Sequence, residues 1–373
     1  MQDTSPRRLP LRRRLIFTTV IYVFFLLALV SVELITRATR PHLSSLELFV
    51  ATPQQRMQVA DARHSPIFEG DPLLLWRLKP NLHNEVWDFT VLSTNPQGLR
   101  ASYPTDSKPL GTYRIVCLGD SVTFGYRVPV VWPDKPTEFD PEWLPYPMLL
   151  EKELRQANQN RAIEVFPMAV PGYTSHQGLA WLRRDIKHLQ PDMIIISFGW
   201  NDVSLSDAPD RLTIRTDWYP VAIRWLIDHS QAFARATKWL SPKGQKPAQR
   251  QVQPRVSQEE FVNNINAIVN LAREHGARAL VIGAPYRDPT TNPGEAKLMT
   301  DYRAALRSMM QRRDIPYLEV LELTEAAAPV NDGFFGELIH PNHIGHRLLA
   351  SELLKLIGQK RLLGEMNIPE MVP

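Results

Sequence analysis

The run MIIISFG (193–199), bounded by Pro191 and Gly199, carries one polar side chain, Ser197. A strand with one wet face alternates apolar and polar residues. A run that does not alternate has to be covered on both faces, as in a parallel sheet between helices. RIVCL (114–118), IEVFPMAV (163–170, despite its internal proline) and ALVIGAP (279–285) read the same way, and YLEVLEL (317–323) is a candidate fifth strand. Helical segments alternate with them. YPMLLEKELRQANQ (146–159) is amphipathic, and Ser257 with Glu260 forms a capping box ahead of Phe261, Ile265, Ile268 and Ala272, until Gly276 stops that helix. A further helix is expected around 297–312, and HIGHRLLASELLKLIG (343–358) closes the series. This alternation predicts an α/β domain with a parallel sheet and helices on both faces. Ligands of such sheets gather beyond the carboxyl ends of the strands.

The N-terminus is of another kind. LIFTTVIYVFFLLALVSV (15–32) has no charge and is about as long as a bilayer-spanning helix needs to be. Arg7, Arg8 and Arg12 to Arg14 precede it, a bias that keeps the N-terminus cytoplasmic and sends the rest across. A cleaved signal peptide is the rival reading. The apolar run is longer than a usual signal core, and VELITRATR after it offers only a poor cleavage site. The expectation is an uncleaved anchor over 15–36 behind a basic cytoplasmic segment, 1–14.

Charge excludes one class of function. Seven arginines against Asp3 and Glu33 give residues 1–40 a net +5, which leaves −1 for the remainder of a chain whose formal charge is +4. No basic stripe with interleaved aromatics is left for nucleic acid. The single cysteine, Cys117, excludes an internal disulfide framework and reads as a small buried residue of its strand. Residues 37–110 read as a juxtamembrane stalk and N-terminal cover, in which the alternation and Asn-Pro-Gln-Gly of VWDFTVLSTNPQGLR (86–100) suggest a short β-hairpin or edge piece. The main domain runs 111–360 and a tail 361–373. Two insertions interrupt it, 127–146 and 203–256. The second contains WYPVAIRWLIDHSQAFARATKWL (218–240), either core helix, a lid or a patch resting on a membrane, followed by SPKGQKPAQRQVQPR, which reads as a solvated loop.

Residues with chemical potential stand at the ends of the expected strands. GDSVTFG (119–125) presents Ser121 after the first; alone it is equally a capping serine. AVPGYTSHQG (169–178) presents Gly172 after the second, FGWNDV (198–203) presents Asn201 and Asp202 after the third, and ELIHPNHIGH (337–346) presents His340 before the last helix. In this order and spacing the four blocks resemble the SGNH (GDSL-type) hydrolases over residues 111–358 or so. The resemblance implies a three-layer α/β/α domain with about five parallel strands. It implies Ser121 as nucleophile, His340 as base, and the oxyanion hole formed by Ser121, Gly172 and Asn201. No cofactor is implied.

A serine hydroxyl attacks well only when a base takes its proton, and an imidazole near neutrality suits that task. Donors aimed at the developing oxyanion each lower the barrier by about 3–4 kcal/mol. Asp120 and Asp202 read as acceptors that fix turns. The family usually carries aspartate three residues before its histidine. Here that residue is Glu337, and Asp332 or a backbone carbonyl are the alternatives for orienting His340. His340, His343 and His346 recur every three residues, but Pro341 keeps His340 out of the helix, so a shared metal is not expected. The predicted function is a membrane-anchored extracytoplasmic serine esterase acting on O-acyl esters, O-acetyl among them, of a carbohydrate, envelope polymer or lipid. The alternatives are an O-acyltransferase acting on envelope or exported polysaccharide, and a non-catalytic carbohydrate-binding envelope protein.

Overall fold

The computed structural model describes residues 10–45, 48, 66–128, 140, 142–240, 252–285, 293–326, 333–336 and 339–371. Helix α1 (Leu11–Thr39) leads the chain and has no buried residue. It is long and apolar enough to cross a membrane. Two small antiparallel hairpins follow: β1 (Phe68–Asp71) with β2 (Leu75–Leu78), and β3 (Glu85–Trp87) with β4 (Thr90–Leu92). The second hairpin turns at Asp88 and Phe89, both at positive φ (41° and 59°). The Asn-Pro-Gln-Gly segment forms a separate turn after this hairpin, closed by the Gly98 N–H on the Asn95 carbonyl at 3.0 Å.

The main sheet is built from β5 (Tyr113–Gly119), β6 (Ile163–Ala169), β7 (Met193–Ser197), and then β10 (Arg278–Ile282) and β11 (Tyr317–Leu318). A two-residue pair, β8 (Leu205–Ser206) with β9 (Gln253–Pro254), lies apart from it. The order across the sheet is β11-β10-β7-β5-β6, with every pairing parallel. The lack of alternation in MIIIS now has its cause. Ile194 and Ile196 enter one core and Met193 and Ile195 the other. Val116 and Leu118 of β5 divide from Ile115 and Cys117 in the same way.

In chain order the helices are α2 (Ser121–Phe124), α3 (Tyr146–Ala157), α4 (Ser175–Leu189), α5 (Trp200–Val203), α6 (Asp210–Thr213), α7 (Trp218–His229), α8 (Gln231–Leu240), α9 (Gln258–Glu274), α10 (Pro293–Arg312), α11 (Val320–Ala326) and α12 (His343–Gln359). Helices α4, α9 and α10 cover one face of the sheet and α3 and α12 the other, giving three layers. Ile67, Leu74, Trp76 and Leu78 of the N-terminal cover join the first of these cores. As expected, Ser257 caps α9, its hydroxyl accepting the Glu260 N–H at 3.3 Å.

The fifth strand is shorter than YLEVLEL suggests. It lies at the sheet edge and pairs only Tyr317 and Leu318 with β10. The Glu319 carboxylate then accepts the Leu321 N–H at 3.3 Å, capping α11 and ending the strand. Of the two insertions, 129–139, 141 and 241–251 lie outside the described residues.

Candidate active site

Strands β5 and β6 are consecutive, but β7 lies on the other side of β5. The connections therefore diverge between β5 and β7, and the carboxyl ends of those strands flank the crevice where such sheets bind ligands. Ser121 follows β5 and Asn201 follows β7, on either side of that crevice.

Ser121 opens a helix of one turn. Asp120 caps it, its Oδ1 accepting the Val122 N–H at 3.0 Å. As first residue of α2, Ser121 has an N–H with no intrahelical acceptor. Gly125 explains why glycine returns four residues later. It adopts the left-handed conformation (φ 78°) that closes the turn, and the N–H groups of Gly125 and Tyr126 both bond the Ser121 carbonyl at 3.1 Å.

His340 comes from the opposite end of the domain. Its Nε2 lies 2.8 Å from Ser121 Oγ, and its ring packs on Tyr126 with centroids 4.6 Å apart. Asn342 ties down the segment. Its Oδ1 caps α12 through Ile344 and Gly345, and its Nδ2 donates to the Gly333 carbonyl at 2.6 Å. A bridge between Phe335 and Pro341 completes the loop. Glu337 and Asp332, the two carboxylates expected near this imidazole, lie outside the described residues.

Gly172 follows β6 at φ 84°, a conformation that glycine takes without steric cost. Both peptides around it are held. The Trp76 indole N–H donates to the Pro171 carbonyl at 3.3 Å. In a trans peptide the N–H points opposite to the carbonyl, so this bond sets the direction of the Gly172 N–H. On the other side, Arg255 Nη1 donates to the Gly172 carbonyl at 2.9 Å. The Arg255 guanidinium is itself buried in an ion pair with Asp210 at 2.8 Å, and Thr174 Oγ1 donates to the same carboxylate at 2.8 Å. Arg255 was expected in a solvated loop, and the buried ion pair corrects that reading.

Asn201 turns its Nδ2 toward Asp120 Oδ2 at 3.5 Å, a long contact. Asp202 accepts both the N–H and the hydroxyl of Ser175, at 3.0 and 2.5 Å, joining the end of β7 to the start of α4. The two aspartates thus fix turns, as expected. Burial pushes Asp120 up to about 6, opposed by the Val122 N–H and the nearby His340. Burial pushes Asp202 up to about 8, opposed by its bonds from Ser175 and by Arg255.

Three supports had no signal in the sequence: Trp76, Arg255 and Arg100. Arg100 is buried, and its guanidinium donates to the carbonyls of Phe124, Gly125, Val91 and Val128 at 2.5, 3.2, 3.1 and 2.9 Å. It thereby fixes the chain leaving the serine turn. The three spaced histidines diverge: His340 faces Ser121, His343 stacks on Trp143 at 3.8 Å, and His346 is buried against Tyr146. Among the described residues, no group of three or more histidines, cysteines or carboxylates is placed to hold a metal.

A serine in hydrogen-bond contact with an imidazole, at the switch point of a parallel α/β sheet, is the arrangement of a serine hydrolase. A sequence model described as the GDSL-like lipase/acylhydrolase family matches residues 117–348. The chain belongs to that family and is an ester-hydrolysing serine hydrolase. Similar solved structures include a lipase/acylhydrolase from Enterococcus faecalis, with 17% identity over 69% of this chain and 99% of that one and a TM-score of 0.42. Another is an acetylxylan esterase from Geobacillus stearothermophilus, with 15% identity over 68% of this chain and 97% of that one and a TM-score of 0.44. No curated protein matches the chain.

Proposed function

We propose that the protein is a membrane-anchored, extracytoplasmic esterase that removes O-acyl groups from a carbohydrate, envelope polymer or lipid through an acyl-enzyme on Ser121. The observation that carries this reading is the 2.8 Å contact between Ser121 Oγ and His340 Nε2. His340 takes the hydroxyl proton as Oγ attacks the carbonyl carbon, and returns it to the departing alcohol. The N–H groups of Ser121 and Gly172 and the Asn201 amide receive the oxyanion. Water, activated by the same imidazole, then releases the acid. Glu337 is the carboxylate assigned to the second imidazole nitrogen.

Retention of the anchor is supported by how α1 ends. The Glu33 carboxylate accepts the N–H groups of Gln231 and Ala232 and the Ser230 hydroxyl, each at 2.9 Å. The two N–H groups stand at the start of α8, where no intrahelical acceptor exists, and cleavage after α1 would remove the carboxylate that all three groups bond. The arginines before Leu15 support a cytoplasmic N-terminus.

The test is a fluorophosphonate probe with Ser121→Ala as control, followed by a panel of acyl esters with and without a sugar acceptor. Labelling and turnover lost together in a folded Ser121→Ala protein fit the proposal. Acyl transfer to the sugar in preference to water would make the protein a transferase, and persistent turnover in the variant would refute the serine mechanism.

A further inference from the structure

Helices α7 and α8 form a hairpin whose outer surface is aromatic. Trp218 is 80% and Trp239 74% exposed, and Tyr219, Trp225 and Leu240 are exposed beside them. Apolar surface of this kind in a folded domain marks a contact, and tryptophan in particular favours the boundary between lipid and water. Between the two helices, an apolar cavity of about 500 Å³ is lined in part by Tyr219, Ile223, Phe233 and Leu240.

What covers this surface follows from where the hairpin is fastened. Besides the Glu33 cap on α8, Arg37 donates to the His229 carbonyl at 2.8 Å, so both helices meet the end of α1. The chain beyond α1 is tied to the same hairpin. Gln231 exchanges hydrogen bonds with the Leu43 backbone at 2.8 and 3.0 Å, and Asp228 accepts the Ser45 N–H and hydroxyl at 2.7 Å each. The uncharged run from Leu15 to Val32 is about 27 Å long as a helix, against a hydrocarbon core of about 30 Å. Glu33, the next residue, falls at headgroup level, and the turn of the hairpin bonded to it shares that level.

The geometry points to the α7–α8 hairpin as a second membrane contact, lying in the interface of the bilayer that α1 spans, with Trp218, Trp225 and Trp239 among the headgroups. This rests on the anchored reading above. A single helix lets a domain tilt and turn freely; a helix with a hairpin clamped to its exit fixes the orientation of the catalytic cleft to the membrane. The occupant of the aromatic surface is lipid, not a second protein and not the ester substrate.

The test uses the full chain in phosphatidylethanolamine–phosphatidylglycerol vesicles, with a nitroxide on one introduced cysteine at a time: Val20→Cys in the span, Trp218→Cys and Trp239→Cys on the hairpin, and Lys360→Cys at the end of α12. Cys117 is buried and stays in place. The ratio of oxygen to nickel-chelate collision rates reports depth, and retained fluorophosphonate labelling reports folding. The expected order is highest at 20, intermediate at 218 and 239, and lowest at 360. A high ratio at 20 with position 360 values at 218 and 239 overturns the hairpin contact and leaves the anchor standing. Protection of 218 and 239 from both reagents means a protein cover and also overturns it. A low ratio at 20 overturns the anchor itself, and the hairpin contact with it. Quenching of the unsubstituted protein's tryptophans by brominated lipids gives the same answer without any substitution; absence of quenching counts against the contact.

Discussion

His346 makes the stability of this protein depend on pH in a way that one substitution removes. Its side chain is 1% exposed, and its Nδ1 accepts the Tyr146 N–H at 3.2 Å. Tyr146 is the first residue of α3, so this N–H has no acceptor within its own helix, and the imidazole supplies one only while Nδ1 is unprotonated. Burial pulls the His346 pKa down to about 3, helped by the charges of Arg100, His340 and His343. An unfolded histidine titrates near 6.5. Between pH 6.5 and about 3, the unfolded chain therefore binds a proton that the folded chain refuses, and stability falls as pH falls. Each unit of difference is worth about 1.4 kcal/mol, so the loss is about 3 kcal/mol at pH 4.5 and has a ceiling near 5 kcal/mol.

The comparison is urea unfolding of the wild type and His346→Gln in mild detergent at pH 7 and pH 4.5. Glutamine keeps an oxygen for the Tyr146 N–H and does not titrate. Asp202, raised to about 8 by burial, acts with the opposite sign. Between its unfolded value near 4 and about 8, the folded chain holds a proton that the unfolded chain releases, so this carboxyl adds stability as pH falls. That contribution is common to both proteins and cancels in the difference. The wild type should lose about 3 kcal/mol more than His346→Gln on going to pH 4.5, whatever the cost of the substitution at pH 7. Equal losses would refute the claim that His346 is held neutral.

Trp76→Phe removes the indole donor to Pro171 and keeps most of the ring. One neutral hydrogen bond is worth about 1 kcal/mol, so kcat should fall several-fold with KM nearly unchanged; an unchanged kcat would mean that the Gly172 N–H holds its direction without Trp76. Glu337→Gln keeps the size and removes the charge, and turnover should drop by roughly two or more orders of magnitude if Glu337 orients His340. Unchanged turnover and pH profile would move that role to Asp332 or a carbonyl. Arg100→Leu leaves four buried carbonyls without their donor and should cost about 3–5 kcal/mol in urea unfolding; a change under about 1 kcal/mol would show that the serine turn does not depend on it.

The sequence and the structure agree most closely where chain geometry alone fixes a residue. A parallel sheet sends its strand ends to one edge, so Ser121, Gly172 and Asn201 were locatable from the apolar runs preceding them. His340 was locatable from the helix that follows it. The strand 317–323 was overread for a physical reason. An edge strand needs pairing on one side only, and at Glu319 a local carboxylate–backbone bond offers the chain a helix instead. In the expected hairpin or edge piece of 86–100, Asp88 and Phe89 make the β3–β4 turn, with the register fixed by pairs such as Glu85 with Leu92.

What the sequence hid are residues that act on a backbone plane rather than on a substrate. Trp76 reaches Pro171 across 95 positions of chain and Arg255 reaches Gly172 across 83. Neither stands at the end of a main-sheet strand: Trp76 lies within β2 and Arg255 follows the two-residue β9. Arg255 was obscured further by its setting in a polar, basic stretch, where composition predicts solvent. Its burial is tolerable only because Asp210 neutralises it and the Gly172 carbonyl uses another of its donors. Removing Asp210 would leave an uncompensated buried cation beside the Gly172 turn. The peptide that follows Gly172 is therefore held by an ion pair whose two members have no place in any catalytic motif, and if Gly172 serves as an oxyanion donor, a substitution at either should impair ester cleavage without touching substrate.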